Sequence, residues 1–325
     1  MPHGPPASER EFLELIDRHF PGVNAHVPLT RGDDCAVLAC PEALALSTDL
    51  FLEDVHFRRS YFTPGDIGWK SLAVNISDIA GMGCRPLGFS LGLMVPADAG
   101  LDGDFWNSLF AGMAALAGEH SLPLVGGDLS RAPMLGLSVT IWGQPGPQGR
   151  FLKRGQCRPG DVLLACGQLG LVRTGLLALE AHGPDAAQNW PAAVAAHLRP
   201  HPQVGAGLAL GALPAVQGAM DVSDGLAMDL PRFLGDGLGA DLVLPHRTLH
   251  PETLAWCADT GQDPALFTYL GGEDYALLAA CHAGAEAAVC AAVPGARVIG
   301  QVLAEPRFTI NTVPAPPAGF DHFAA

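Results

Sequence analysis

The stretch that most constrains this chain is residues 69–82, WKSLAVNISDIAGM. Trp69, Leu72, Ala73, Ile76, Ile79 and Ala80 recur at helical spacing and define an apolar face. Ser71, Asn75 and Asp78 fall at i, i+4 and i+7, so they share a second face of the same helix. Gly81 and Gly83 are suited to ending it. A helix this apolar must be buried on most sides, and an aspartate on it is costly to bury unless something cationic meets it. Asp78 is therefore read as a cation ligand, with other acids of the chain expected at the same place.

A chain of 325 residues suggests two domains, each able to bury its own core. Hydrophobic residues make up 49% and charged residues 16%, the balance of an ordered globular protein. Gly, Pro and charged residues punctuate every apolar run, so no membrane-crossing segment is expected. The start, MPHGPPASEREF, has no apolar region behind a basic one, and a cytoplasmic location is the expectation. The formal net charge of −15 and the lack of a basic run argue against a nucleic-acid partner. With only 18 Lys and Arg, an anionic substrate would be held largely through metal ions. Cysteines stand at 35, 40, 84, 157, 166, 257, 281 and 290, without a CxxC pair, and are expected to be reduced and mostly buried.

Ser8-Glu9-Arg10-Glu11 is a capping box ahead of an amphipathic first helix. Strands are expected at 35–39 and 43–47, the first entered by Gly32-Asp33-Asp34 and the second left by Ser47-Thr48-Asp49. Another is expected at 87–95, then a helix over 105–118 with Asp104 as N-cap, and a short strand at 122–125 running into Gly126-Gly127-Asp128. After a strand at 135–142, the Gly/Pro cluster GQPGPQGR is the best domain boundary, giving domains 1–145 and 146–325. The second half alternates again: a strand at 162–166, a helix from Gly170 and Pro-interrupted helices across 190–213. A strand at 219–222 ends in Ser223-Asp224-Gly225, and Gly271-Gly272-Glu273-Asp274 precedes a strand at 275–280. Such alternation in both halves defines an α/β (α+β) class.

Familiar phosphate motifs are absent. Gly68-Trp69-Lys70-Ser71 looks like a P-loop ending but lacks the Gly spacing, and Gly205, Gly207 and Gly211 lie in a Leu/Ala-rich helix as packing residues. The His pairs 197/201 and 246/250 have no flanking glutamate or third ligand and make a poor zinc site. What recurs is acids beside Gly, Ser or Thr at strand ends: Asp33-Asp34, Asp49, Asp128, Asp221 with Asp224, and Glu273-Asp274. One such pair is ordinary turn chemistry. The whole set gathers where strand ends of an α/β sheet bind ligands. Crowded carboxylates repel unless cations neutralise them, and oxygen-only ligation favours magnesium. Magnesium on carboxylates points to phosphoryl chemistry on a nucleotide.

These segments carry a resemblance. GDDCA at 32–36, STD at 47–49 with VHF at 55–57, AVNISD at 73–78 with GMG at 81–83, GGD at 126–128, MDVSDGL at 220–226, GGEDY at 271–275 and GFDHF at 319–323 resemble the thiamine-monophosphate kinase family. The similarity runs in order over nearly the whole chain. It implies an aminoimidazole ribonucleotide synthetase-like fold, with an N-terminal sheet domain that dimerises and a C-terminal α/β domain. It also implies a homodimer with its active site in a cleft between domains.

By matching position, the resemblance implies magnesium ligands at Asp34, Ser47, Thr48, Asp49, Asp78, Asp128, Asp221 and Asp224, directly or through water. It implies ATP contacts from Gly127, Asp128, Arg154 and Ser223, and thiamine monophosphate contacts from His56, Glu273 and Phe320. Several Mg2+ ions and ATP as co-substrate follow, with direct in-line transfer and no catalytic general base. Departures from the family pattern occur at Leu129, at Asp54, and at Gly170-Leu171-Val172-Arg173, where a small polar turn is usual. Two other readings stand beside this one. The same fold can act on another small phosphate or carboxamide, although the first 30 residues lack Cys and Lys and the chain ends His322-Phe323-Ala324-Ala325 without a terminal Cys. A catalytically silent nucleotide-binding protein has no reason to hold so many mutually repelling acids.

Overall fold

The computed structural model describes residues 6, 8–22, 24–30, 35–40, 42–97, 100–148 and 150–316. Two compact units form, Met1–Ile79 with Arg85–Gln144, and Ala80–Cys84 with Pro145–Ala325. No helix among the described residues is long and apolar enough to cross a membrane.

In the first unit, helix α1 (Glu9–His19) starts at Ser8, whose hydroxyl accepts from Glu11 N. It lays Phe12 edge-on against Trp106 of helix α3 (Gly103–Glu119), ring centroids 5.1 Å apart. Strand β1 (Ala45–Leu52), helix α2 (Pro64–Gly81), strand β2 (Cys84–Val95), strand β3 (Leu124–Arg131) and strand β4 (Gly136–Pro145) complete it. The sheet order is β1-β4-β2-β3, with β1/β4 antiparallel and β2/β3 parallel.

Three sequence expectations are corrected here. Residues 35–39 make only an isolated bridge, Leu29 to Val37, and one longer strand, β1, replaces the expected 43–47. Pairing along β4 carries β1 through Asp49, which opposes Val139. Likewise β3 runs through Gly126, Gly127 and Asp128 because their backbones pair with Ser90, Leu91 and Gly92, despite the poor strand propensity of Gly and Asp. The α3 N-cap is Asp102, extended and accepting from Phe105 N at 2.8 Å; Asp104 lies in the first turn.

The second unit is a seven-stranded sheet, order β11-β10-β7-β9-β5-β8-β6. Its strands are β5 (Val162–Cys166), β6 (Val216–Asp221), β7 (Gly239–Leu242), β8 (Leu277–Cys281), β9 (Ala296–Leu303), β10 (Phe308–Ile310) and β11 (Val313–Pro314). Helices α4 (Leu171–His182), α5 (Pro191–Leu198), α6 (Val204–Ala212), α7 (Leu226–Leu234), α8 (Pro251–Thr260), α9 (Pro264–Tyr269) and α10 (Glu286–Ala292) surround it. Leu163, Val222, Phe233, Leu278 and Ile299 are among its core side chains. Residues 80–84 join this unit through Leu152 N, which donates to Met82 O, and through Gly207, whose backbone abuts Ala80 O. Gly207 and Gly211 thus serve packing as expected, whereas Gly205 is exposed with open space beside it. All eight cysteines are free thiols, five of them buried and Cys35 and Cys40 exposed.

The crossing of α2 and α3 matters most for the site. A Cβ at Gly68 would lie 1.9 Å from Leu109 O, and one at Gly112 would lie 2.0 Å from Gly65 O. The two backbones touch, and only glycine permits it. Gly112→Ala improves helix propensity by about 1 kcal/mol, yet the methyl group must push a carbonyl aside. We expect net destabilisation of roughly 1–3 kcal/mol in urea unfolding; a stabilised variant would mean the helices separate freely.

Candidate active site

Every residue from Gly65 to Gly81 is buried except Asp78. The donors of the polar stripe anticipated on this helix are satisfied from within, Ser71 Oγ donating to Gly68 O and Asn75 Nδ2 to Ser71 O, both at 3.0 Å, while Asn75 Oδ1 is buried without a hydrogen-bond partner among the described residues. Lys70, wholly buried, lies with Nζ 5.5 Å above the Phe62 ring. Asp78 alone turns its carboxylate outward, and Ser47 Oγ donates to its Oδ2.

Strand alternation supplies the neighbours. Ser47, Asp49 and Phe51 point to one face of β1, and Leu46, Thr48 and Leu50 to the other. Asp49 therefore joins Ser47 beside Asp78. Burial first, then the Asp78 charge and a hydrogen bond to it, push the Asp49 carboxyl up to about 6. Thr48 pairs instead with Thr140 on the opposite face, Oγ1 to Oγ1 2.8 Å, so only its main chain serves the Asp49 side.

After β1 the chain turns through Asp54, whose φ of 61° is a left-handed conformation natural to glycine and tolerated by aspartate. This explains how Asp54 can stand where the resemblance expects Gly. The turn brings His56 back so that its Nδ1 accepts from Leu52 N at 3.0 Å, with its ring stacked on Phe51. That bond fixes Nδ1 as an acceptor and leaves Nε2 to carry the proton of the neutral ring. On the edge strand β3, Gly127 packs its backbone directly on Leu91 O, and exposed Asp128 accepts from Ser130 Oγ at 2.9 Å.

In the second unit, two loops at one end of neighbouring β6 and β8 are stitched together. Val222 N donates to Ala276 O, Tyr275 N to Val222 O at 2.9 Å, and Glu273 N to Ser223 O at 2.6 Å. Gly225, at φ 91°, lies against Gly271 O where no side chain fits. Ser223, Asp224 and Glu273 are held on these loops, and Asp221 ends β6 beside them. Asp224 is ion-paired to Arg232, and its N–H donates to Asp229 Oδ2 at 2.9 Å. Burial, then the Asp224 charge, push Asp229 up to about 6. The adjacent acids Glu273 and Asp274 divide their work. Both Asp274 oxygens accept from Gly170 N, at 3.0 and 2.9 Å, anchoring the start of α4; burial raises this carboxyl to about 7. Arg173, one of the departures, lies over the Phe267 ring and donates to Phe267 O. Arg154 is exposed.

Residues 32–144 match the family model described as AIR synthase related protein, N-terminal domain, and 158–312 match its C-terminal domain model. A thiamine-monophosphate kinase of Synechococcus elongatus is 33% identical over 97% of this chain and 99% of its own length. The chain belongs to the thiamine-monophosphate kinase family. Among solved structures, the family member from Stenotrophomonas maltophilia K279a superposes with TM-score 0.79 at 30% identity, covering 94% of this chain and 96% of its own. AaThiL complexed with AMPPCP and TMP gives TM-score 0.78 at 28% identity, with 97% of each chain covered. The α/β, two-part fold expected from the sequence is the fold of these thiamine-monophosphate kinases.

Against that family pattern, the structure brings together Ser47, Asp49 and Asp78 in one unit, and Asp221, Ser223, Asp224 and Glu273 in the other. Asp34 and Phe320 lie outside the described residues. Among the described residues, no three His, Cys, Asp or Glu side chains would enclose an ion by themselves. Sequence reasoning passed over Asp229 and Arg232, and weighed His197 only as half of a poor zinc pair. The i, i+3 spacing of Asp229 and Arg232 just after Ser-Asp-Gly was a readable signal; the partner of His197 was not.

Asp49 provides a direct test. Its folded carboxyl holds a proton up to about pH 6, against an ordinary value of 3.8. Its stabilising contribution is therefore complete below about pH 4 and is lost as pH rises through 6. In EDTA, Asp49→Asn is expected to stabilise the protein by about 2 kcal/mol at pH 8 and hardly at all at pH 4, by urea unfolding. Equal effects at both pH values would show that the Asp49 carboxyl is not raised by burial and the Asp78 charge.

Proposed function

We propose that this protein transfers the γ-phosphoryl group of ATP to thiamine monophosphate, yielding thiamine diphosphate and ADP, the last step in making that cofactor. The observation that carries the reading is the Asp49–Asp78 pair. Two carboxylates share one opening of a buried helix, and burial together with the neighbouring Asp78 charge holds a proton on Asp49 well above its ordinary range. Membership of the family, and the AMPPCP and TMP bound to AaThiL, supply the two substrates.

The donor set suits Mg2+: carboxylate and hydroxyl oxygens, with no His or Cys among them. Asp49, Asp78 and Ser47 would hold it on the first unit together with Asp34, Thr48 and Asp128, and Asp221 and Asp224 would serve on the second. When bound, magnesium would supply charge neutralisation, offsetting the negative charge that builds during transfer. Ser47 fixes the rotamer of Asp78. His56, with Nδ1 occupied, offers Nε2–H to an acceptor on the thiamine monophosphate. Gly127 and Ser223 offer backbone groups to ATP, and Arg154 a cation for its phosphates. Glu273 faces the cationic or amino part of the thiamine, and Phe320 stacks on its ring.

No general base is required. The second pKa of a phosphate monoester is near 6, so the acceptor is largely dianionic at neutral pH and attacks directly. Transfer is in line, without a phosphoenzyme, and depends on positioning and charge neutralisation.

We also read the two units as N- and C-terminal domains divided near residue 145, and the protein as a cytoplasmic homodimer. Support for dimerisation comes from the outer face of β1, where Leu46 and Leu50 are 68% and 52% exposed.

Purified protein with ATP, Mg2+ and thiamine monophosphate should form thiamine diphosphate, read by chromatography. Failure to form it, with turnover of another phosphate acceptor, would remove the substrate assignment. Asp78→Asn is expected to lower kcat at least about a hundredfold without lowering the melting temperature; near-normal turnover would overturn the metal-ligand role. Because Asp49 takes up a proton near pH 6, Mg2+ affinity by calorimetry should fall as pH drops from 7 to 5, with proton release on binding. A pH-independent affinity would place the ion elsewhere.

A further inference from the structure

Glu273 occupies an unusual position. Its φ of 58° is left-handed, as is the 47° of Tyr275, a conformation that is strained for a residue with a Cβ. The strands on either side hold it there through the bonds from Glu273 N to Ser223 O and from Tyr275 N to Val222 O. The backbone is thus aimed with care, yet a glutamate has three further torsions, and an aimed backbone alone does not aim a carboxylate. The side chain is 28% exposed, so solvent does not hold it still.

His197 meets it. Its ring is 2% exposed, and Nδ1 lies 3.3 Å from Glu273 Oε2. The ring has little freedom, because α5 is pressed onto α4 at a glycine. A Cβ on Gly175 would fall 2.0 Å from Ala193 O and 3.0 Å from the Cβ of His197. The i, i+4 relation to His201, the source of the poor zinc signal, has no part in this; the partner of His197 comes from a loop 76 residues away in sequence. A buried, tightly packed imidazole therefore stands against a partly exposed acid whose side-chain torsions remain to be fixed.

We propose that His197 is a positioning residue for thiamine monophosphate: its ring holds the Glu273 carboxylate in the orientation that meets the cationic or amino group of the substrate. This rests on the assignment of Glu273 to substrate binding, and on no property of the nucleotide site. His197 does not itself touch substrate. Its loss should weaken the hold on thiamine monophosphate and leave ATP and the transfer step alone.

The test is steady-state kinetics with each substrate varied in turn. His197→Leu, which keeps the buried volume apolar, should raise KM for thiamine monophosphate roughly tenfold, the loss of one hydrogen bond to a charged group. KM for ATP and kcat should change by less than about twofold. His197→Asn places an amide N–H near the Nδ1 position and should restore most of the loss, whereas His197→Gln, whose amide reaches toward Nε2, should not. These two polar variants carry the test even if the leucine variant fails to fold. In a Glu273→Gln background, His197→Leu should add little, because the two groups act as one unit.

Equal behaviour of the Asn and Gln variants, or losses spread over kcat and both KM values, or full additivity with Glu273→Gln, would reduce His197 to a packing residue and overturn the proposal. If Glu273→Gln alone leaves KM for thiamine monophosphate unchanged, the substrate role of Glu273 fails and this proposal with it. If Glu273→Gln raises KM and His197→Leu does not, only the role of His197 fails.

Discussion

Burial of α2 is the constraint on which the first unit depends. A helix surrounded by protein has no water to satisfy its polar side chains, so each must find a partner nearby. Ser71 and Asn75 use carbonyls of their own helix, and Lys70 rests against an aromatic face. The close crossing with α3, backbone on backbone at Gly68 and Gly112, leaves no slack for the helix to rotate. Asp78 is then the one polar group delivered outward, from a support as stiff as the core itself. β1 adds Ser47 and Asp49 to the same opening by simple alternation. The result is a pair of acids crowded in a partly buried opening, which is the condition of a site suited to receive a cation.

The second unit solves a different problem. Its functional groups sit on loops, and loops aim poorly unless stitched. Backbone bonds join residues 222–223 to 273–276, and Gly225 lets one loop rest on the other. Each acid held there has company of a different kind. Asp224 faces Arg232, Asp274 anchors the first turn of α4, and Glu273 meets His197. Adjacent residues in one motif thus do unlike work, and the difference arises from the elements packed around them.

Much of this was legible without coordinates. Helical spacing announced a buried helix with Asp78 on it, and the recurrence of acids beside Gly or Ser marked the strand end and loops that carry Asp221, Asp224 and Glu273. Strand limits were read less well. Asp49 and Asp128 were expected at strand ends because Asp and Gly are turn formers, but ladder pairing with β4 and β2 overrode propensity at both places. Thr48 was grouped with Ser47 and Asp49 from adjacency alone, and the two-residue period of the strand sends it to the other face.

The sequence by itself determined the two-part α/β architecture, the family, and the inventory of acids, because periodicity, composition and local motifs are encoded over a few residues at a time. Only the tertiary structure decided which groups act together. The Ser47–Asp78 and Asp49–Asp78 contacts span about thirty residues, and the His197–Glu273 contact spans seventy-six. Contacts of that span are set by how helices seat on sheets, a matter of shape and close packing that no local spacing records.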